Sequence, residues 1–285
     1  MAETTPNLKQ SLRKRAAYIL AFIALSGMTF VLGVWFMFPD ASLERRINAE
    51  LARQAPFSFK IHHLERSFPF TLKGKQVSVD IPQFPLTIAP LQVKPAWSSL
   101  IRLQPGIVAS GILFGGSFEV FYTSSGTTTI EAERMHLSAT IPGFSSIRIE
   151  GELEYAQIDA HVSDAVTPSH GQIILKGVRI HGLDKVGLGQ SVTNLGDLEL
   201  TLEEQGHLLQ LELQNPGGAF QLSGSGSITP PQLTPKARMN LQLRIDNIPA
   251  EYAQLEELLS LTGVRKDAEG YLIRLGGRIE HPILR

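Results

Sequence analysis

Residues able to do chemistry are spread thinly along this chain. Its eight histidines are His62, His63, His136, His161, His170, His181, His207 and His281. None stands in an HExxH or HxxxH pair. His62 and His63 are adjacent, so on a regular strand they point to opposite faces and cannot share one ion. His136 and His161 occupy polar positions of alternating segments and read as solvated surface. There is no cysteine, which removes disulfides, zinc–thiolate sites and thiol catalysis. No GxSxG elbow is present. Gly224-Ser225-Gly226-Ser227 lies inside an alternating run, not at a strand-to-helix turn. Gly115-Gly116 and Gly217-Gly218 are too short to cradle a phosphate, and no P-loop motif occurs. The adjacent acids Glu203-Glu204 and Glu256-Glu257 read as solvated faces rather than an acid/base pair. Glu150, Glu152 and Glu154 share one strand face, as a calcium set would, but no DxDxDG-type loop accompanies them. The sequence therefore predicts no catalytic residue, no metal site and no cofactor, and a protein that is not an enzyme.

Charge excludes one class of partner. Charged residues are 19% of the chain, against about 25% in ordinary soluble proteins, and the formal net charge is −1. Nucleic-acid binding needs a basic patch or stripe, and a near-neutral chain gives no electrostatic case for it.

The elements that would position any site begin with an apolar segment. Ala16–Phe38 carries no charge, and at about 1.5 Å per residue it crosses a hydrocarbon core of roughly 30 Å with some tilt. Lys9, Arg13, Lys14 and Arg15 precede it, and Trp35, Phe36 and Phe38 stand near its far end. Basic residues stay cytoplasmic and aromatic residues favour the interface. Arg13, Lys14, Arg15 and Trp35 thus predict orientation in a bacterial inner membrane, with the bulk of the chain periplasmic. The alternative is a cleaved signal peptide. Its apolar region would be shorter, about 7–15 residues, and Phe38-Pro39-Asp40-Ala41 is a poor cleavage site. Next, Leu43, Ile47 and Leu51 form one apolar helical face, with Ser42 as the expected N-cap.

After Pro56 the period changes to two. Phe57–Ile61, Val77–Ile81, Met135–Ile141, Ile147–Leu153, Leu198–Leu202, Leu209–Leu213, Phe220–Ile228, Met239–Ile245 and Tyr271–Ile279 each alternate apolar and polar residues. This predicts strands with one buried and one wet face, and short connections favour antiparallel pairing. Ser124-Ser125-Gly126, Asn215-Pro216-Gly217-Gly218 and Thr229-Pro230-Pro231 read as turns. Gly151, Gly224, Gly226 and Gly277 fall on the inward phase, either to bend the sheet or to make room for large neighbours. Pro249–Thr262 reads as a helix covering part of the sheet, and Trp97–Arg102 as a shorter turn or helix. The expected fold is mainly β: a single N-terminal transmembrane helix, then a large curved antiparallel sheet or a β-sandwich with a few short helices. The expected divisions are a basic tail at 1–15, the transmembrane helix at 16–38, a linker helix at 39–55 and a periplasmic antiparallel β domain at 56–285.

Several of these segments together resemble the type II secretion system protein N family, in the form that is also similar to AsmA-like proteins. They are the basic-then-apolar start, Phe38-Pro39-Asp40-Ala41-Ser42-Leu43, Pro95-Ala96-Trp97-Ser98-Ser99-Leu100, Gly111-Ile112-Leu113-Phe114-Gly115-Gly116-Ser117-Phe118 and the final Leu275–Leu284. The resemblance implies a bitopic inner-membrane protein with an accessory, non-enzymatic role beside other secretion-system proteins. It supplies no catalytic residues. Its AsmA-like side implies a long bent sheet with an apolar concave face. An open groove lined by Phe118, Val120, Tyr122, Leu209, Leu211 and Leu213 would then take a partner, lipid acyl chains among the candidates, whereas in a sandwich the same six residues are ordinary core.

Overall fold

The structure is a computed structural model. It describes residues 18, 22–23, 25–27, 29–33, 35–37 and 39–284, except 55–57, 69, 82–83, 102, 142–143, 164, 187–190, 219–220, 233, 235, 247, 253–255, 257–258, 260–263, 268–269 and 280. The described residues between 18 and 37 are helical. Arg13, Lys14, Arg15 and the rest of the expected span lie outside the described residues. Among those described, no helix is long and apolar enough to cross a membrane.

Helix α1 spans Asp40–Gln54. It opens ahead of the expected N-cap: the Pro39 carbonyl accepts from Ser42 N at 3.0 Å and from Leu43 N at 3.2 Å. Asp40 takes the first turn, where the helix dipole favours an anion, and Ser42 is inside the helix rather than at its cap. Leu43, Ile47 and Leu51 pack on Ile61, Leu64, Val77 and Val79, as their spacing requires.

The strands that follow are β1 (Ser58–Ser67), β2 (Thr71–Ile81), β3 (Phe84–Ile88) and β4 (Leu91–Pro95). After the short helix α2 (Trp97–Ile101) come β5 (Gly106–Leu113), β6 (Gly116–Thr123), β7 (Thr127–Ile141), β8 (Phe144–Val162) and β9 (Val166–His181). Then follow β10 (Val192–Gln205), β11 (Leu208–Gly217), β12 (Gln221–Thr229), β13 (Arg238–Asp246), β14 (Arg265–Lys266), β15 (Gly270–Arg278) and β16 (His281–Leu284). All sixteen belong to one antiparallel sheet, in the order β1-β2-β4-β5-β6-β7-β8-β9-β10-β11-β12-β13-β15-β14, with β3 beside β2 and β16 beside β15. The sandwich is therefore not the arrangement found: there is one open sheet, not two packed ones. Short connections make a meander, in which each strand pairs with a near neighbour in sequence.

Period-two alternation is broken where the backbone leaves the strand region. His63 (φ 54) and Arg134 (φ 54) adopt the left-handed conformation. Ile61 and Leu64 on either side of His63 are both buried, as are Ala132 and Met135 around Arg134. The rule that His62 and His63 point to opposite faces assumes a regular strand, so it fails at this site. Register shifts concentrate on β8–β11, at Glu150/Glu152, Leu153/Tyr155, Asn194/Gly196, Gly196/Leu198 and Asp197/Glu199. Such bulges increase local twist. Asn215-Pro216-Gly217 is not a turn between strands but the end of β11. The buried Asn215 amide bonds the Leu195 carbonyl and accepts from Gly217 N at 2.9 Å, and pairing resumes at Asp197↔Gly217.

Part of the chain covers each end of the sheet. α1 covers β1–β4. Beyond β13, Ile248, Tyr252, Leu259 and Val264 pack against Val178, Leu195, Ile245 and Tyr271. Here Ala250–Tyr252 is a 3-10 turn, Glu256 and Leu259 are helical, and the remaining residues of the expected 249–262 helix are largely outside the described set. Glu256 Oε1 accepts from the Tyr271 hydroxyl at 3.1 Å and pairs with Lys266, which ties this cover to β15 and β14.

Candidate functional site

The strands between these covers carry the candidate site. In an antiparallel pair, residues directly opposite each other place their side chains on the same face. Phe118 on β6 stands opposite Ala132, which stands opposite Ala156, then Ile173, Leu200 and Leu213. The adjacent row runs Val120, Ile130, Ile158, Gly171, Leu202 and Leu211. Four of the six expected lining residues thus join one face through unbroken rows, although Phe118 and Leu213 lie roughly 24 Å apart along the sheet, five interstrand steps of about 4.8 Å. Leu209 continues the face beside Ile228 and Met239.

Both rows extend toward β15. Leu213 faces Gly224, Leu243 and Ile273 in turn, and Leu211 faces Gly226, Leu241 and Leu275. The inward glycines make room here. A Cβ on Gly224 would fall 2.6 Å from Leu243 Cδ2, and one on Gly226 would fall 2.4 Å from Leu241 Cδ2. The leucines of β13 lean over positions that carry no side chain.

Burial divides the six. Leu209 is 1% exposed and belongs to a local core with Leu202, Ile228 and Ala237. Phe118, Val120, Leu211 and Leu213 are half-buried, and Tyr122 is exposed. Neither row contains a charged residue. The opposite face carries the charge. Lys176 Nζ lies 2.9 Å from Asp197 Oδ2 and 3.5 Å from Glu154 Oε2, and Gly177 N donates to Asp197 Oδ1 at 3.0 Å. The Gly177 N–H, then Lys176, holds the Asp197 carboxyl below its usual range, and Asp197 raises Lys176. Glu150, from the acidic trio, pairs with Arg148 at 2.7 Å, and Glu154 is drawn to Lys176. Among the described residues no three histidine or carboxylate side chains gather as metal ligands.

A second feature lies where the N-terminal helical residues meet the sheet. The Trp35 ring is edge-on to Phe70, centroids 5.3 Å apart, and Phe70 in turn lies 6.1 Å from Trp97. Arg66 stacks on Trp35 at 5.8 Å, donates to the Trp35 carbonyl and pairs with Asp40. Trp35, expected as an interface residue, is thus held by β1 and the turn after it. Sequence reasoning missed Arg66 and Phe70. No local pattern marks them, because their partners are remote in the chain.

The chain matches no protein-family model, no curated protein and no solved structure.

Proposed function

We propose that this is a non-enzymatic protein, anchored in the bacterial inner membrane by Ala16–Phe38, whose periplasmic sheet binds an apolar partner. The observation that carries this reading is the pair of uncharged rows that run in register from β6 to β15, buried at Ala132, Ala156, Gly171 and Leu202 and only half-buried at their other positions. Large contiguous apolar patches are rare on a monomer surface unless something binds them. The role is that of an accessory component of the type II protein secretion system. What supports it is the resemblance of Phe38–Leu43, Pro95–Leu100, Gly111–Phe118 and Leu275–Leu284 to that family. Deleting the gene and measuring exported enzymes tests it: reduced export is expected, and unchanged export under all growth conditions overturns it.

A second reading is favoured by the absence of charge from the rows. An acyl chain makes no hydrogen bonds and fits a face that offers none. On this reading the curved sheet is an AsmA-like lipid-binding or lipid-transfer module. A photo-crosslinking residue at Leu211 in the full-length protein should capture phospholipid, and one at Glu212 on the other face should not. Equal capture at both positions would remove this reading.

A further inference from the structure

We infer that the end of the sheet beside Trp35 sits within the bilayer interface, so that the apolar face opens directly onto the outer leaflet; this rests on the reading of Ala16–Phe38 as a membrane anchor. Two connections distant in sequence meet at this end, the turn after β1 and the β4–β5 connection made of α2 and the loop that follows it. The β1–β2 turn carries Phe68 and Phe70, α2 carries Trp97, and the loop before β5 carries Leu103. Pairing of Leu72 with Val93 and of Pro95 with Ile107 brings them together. Each presents a large apolar side chain outward: Phe68 is 66% exposed, Trp97 48% and Leu103 90%. Leu103 also has φ 56, a strained conformation for a bulky residue, and gains no burial inside the chain for it.

The occupant that fits is a lipid surface with anionic headgroups. Phe30 and Val31 of the N-terminal helical residues line a cavity of about 540 Å³ with Trp35, Leu43, Arg46, Arg66 and Phe70. The cavity is therefore continuous with the segment assigned to the bilayer. Arg46 has no acidic partner among the described residues, so its guanidinium is free for a lipid phosphate. Tryptophan beside arginine above an apolar layer is the composition of a membrane interface. From the same end, Ile107 and Tyr122 stand opposite each other and both are exposed, which starts a path from the leaflet toward Val120.

The chain has two tryptophans, Trp35 and Trp97, which makes the test direct. The full-length Trp35→Phe variant in nanodiscs reports Trp97 alone. Lipids brominated near the top of the acyl chain should quench its emission, and aqueous acrylamide should not. Adding Phe68→Asp and Leu103→Asp should reverse both results while circular dichroism stays unchanged. Quenching by acrylamide, or shielding from both agents as a protein cover would produce, overturns the inference. If Trp35→Phe does not fold, the difference in quenching between wild type and Trp97→Phe gives the same readout. Unquenched Trp97 with lipid capture at Leu211 would sink the docking and leave the acyl-binding reading. Quenched Trp97 without capture would do the opposite.

Discussion

Asn48 on α1 reproduces one rung of a β ladder against Ile61 on the edge strand β1. Its Nδ2 donates to the Ile61 carbonyl at 3.0 Å, and Ile61 N donates to its Oδ1 at 2.8 Å. One turn earlier, Glu44 Oε2 accepts from Leu64 N at 3.0 Å. An unprotected edge strand is a template for pairing with another chain, and here a helix occupies it instead. Asn48→Leu should lose about 1–3 kcal/mol, two hydrogen bonds at roughly 0.5–1.5 each, and should self-associate. Chemical denaturation and light scattering check the two effects. An unchanged monomer would show that Asn48 does not protect the edge.

The contact between Lys176 and Asp197 predicts a flat response near neutrality and losses at both extremes. Asp197 is depressed below 3.8, so its contribution is present above that pH and is lost as pH falls through the lower folded value. Lys176 is raised above 10.5, so its contribution is present below that pH and is lost as pH rises through the higher folded value. Asp197→Asn should be less stable than wild type at pH 7, and the difference should shrink in acid. Both groups are exposed, so the effect is small and weakens with salt. Denaturation midpoints measured across pH give the comparison.

Two leucines of one strand should respond differently to truncation. Leu209 is almost completely buried and Leu213 is half-buried on the open face. Leu209→Ala should cost about 2–5 kcal/mol through lost burial and a cavity. Leu213→Ala should cost about 1 kcal/mol, and Leu213→Asp should leave a folded protein with less bound lipid. Similar destabilisation by both alanine variants would mean that Leu213 is core, and the apolar face would lose its claim to a partner.

Gly196 marks the bulged strands. It has φ 76, and a Cβ there would lie 1.4 Å from the Gly217 carbonyl oxygen. No side chain fits without moving β11. Gly196→Ala should cost at least about 2 kcal/mol, from the left-handed backbone and the overlap together. Gly206 also has positive φ (65) but stands in open space, so Gly206→Ala should cost less. Thermal unfolding of the pair separates crowding from backbone strain.

By itself the sequence determined, through alternation, segments of nine of the sixteen strands and the apolar phase within each segment, and that Leu43, Ile47 and Leu51 seek a core. These follow from periods of two and 3.6, which are local properties. It also placed Phe118, Val120 and Tyr122 on one strand face and Leu209, Leu211 and Leu213 on another. It left open whether the two faces coincide, because alternation says that one side is dry and not what keeps it dry. Only the tertiary register joined them, through residues such as Ile130 and Ile158 that carry no motif. Strand order likewise decided between one open sheet and two packed ones. The left-handed backbone at His63 and Arg134 had no glycine to announce it. The clasp of Arg66 on Asp40 and Trp35, and the Asn48 rung on Ile61, depend on groups that meet only after the chain has folded.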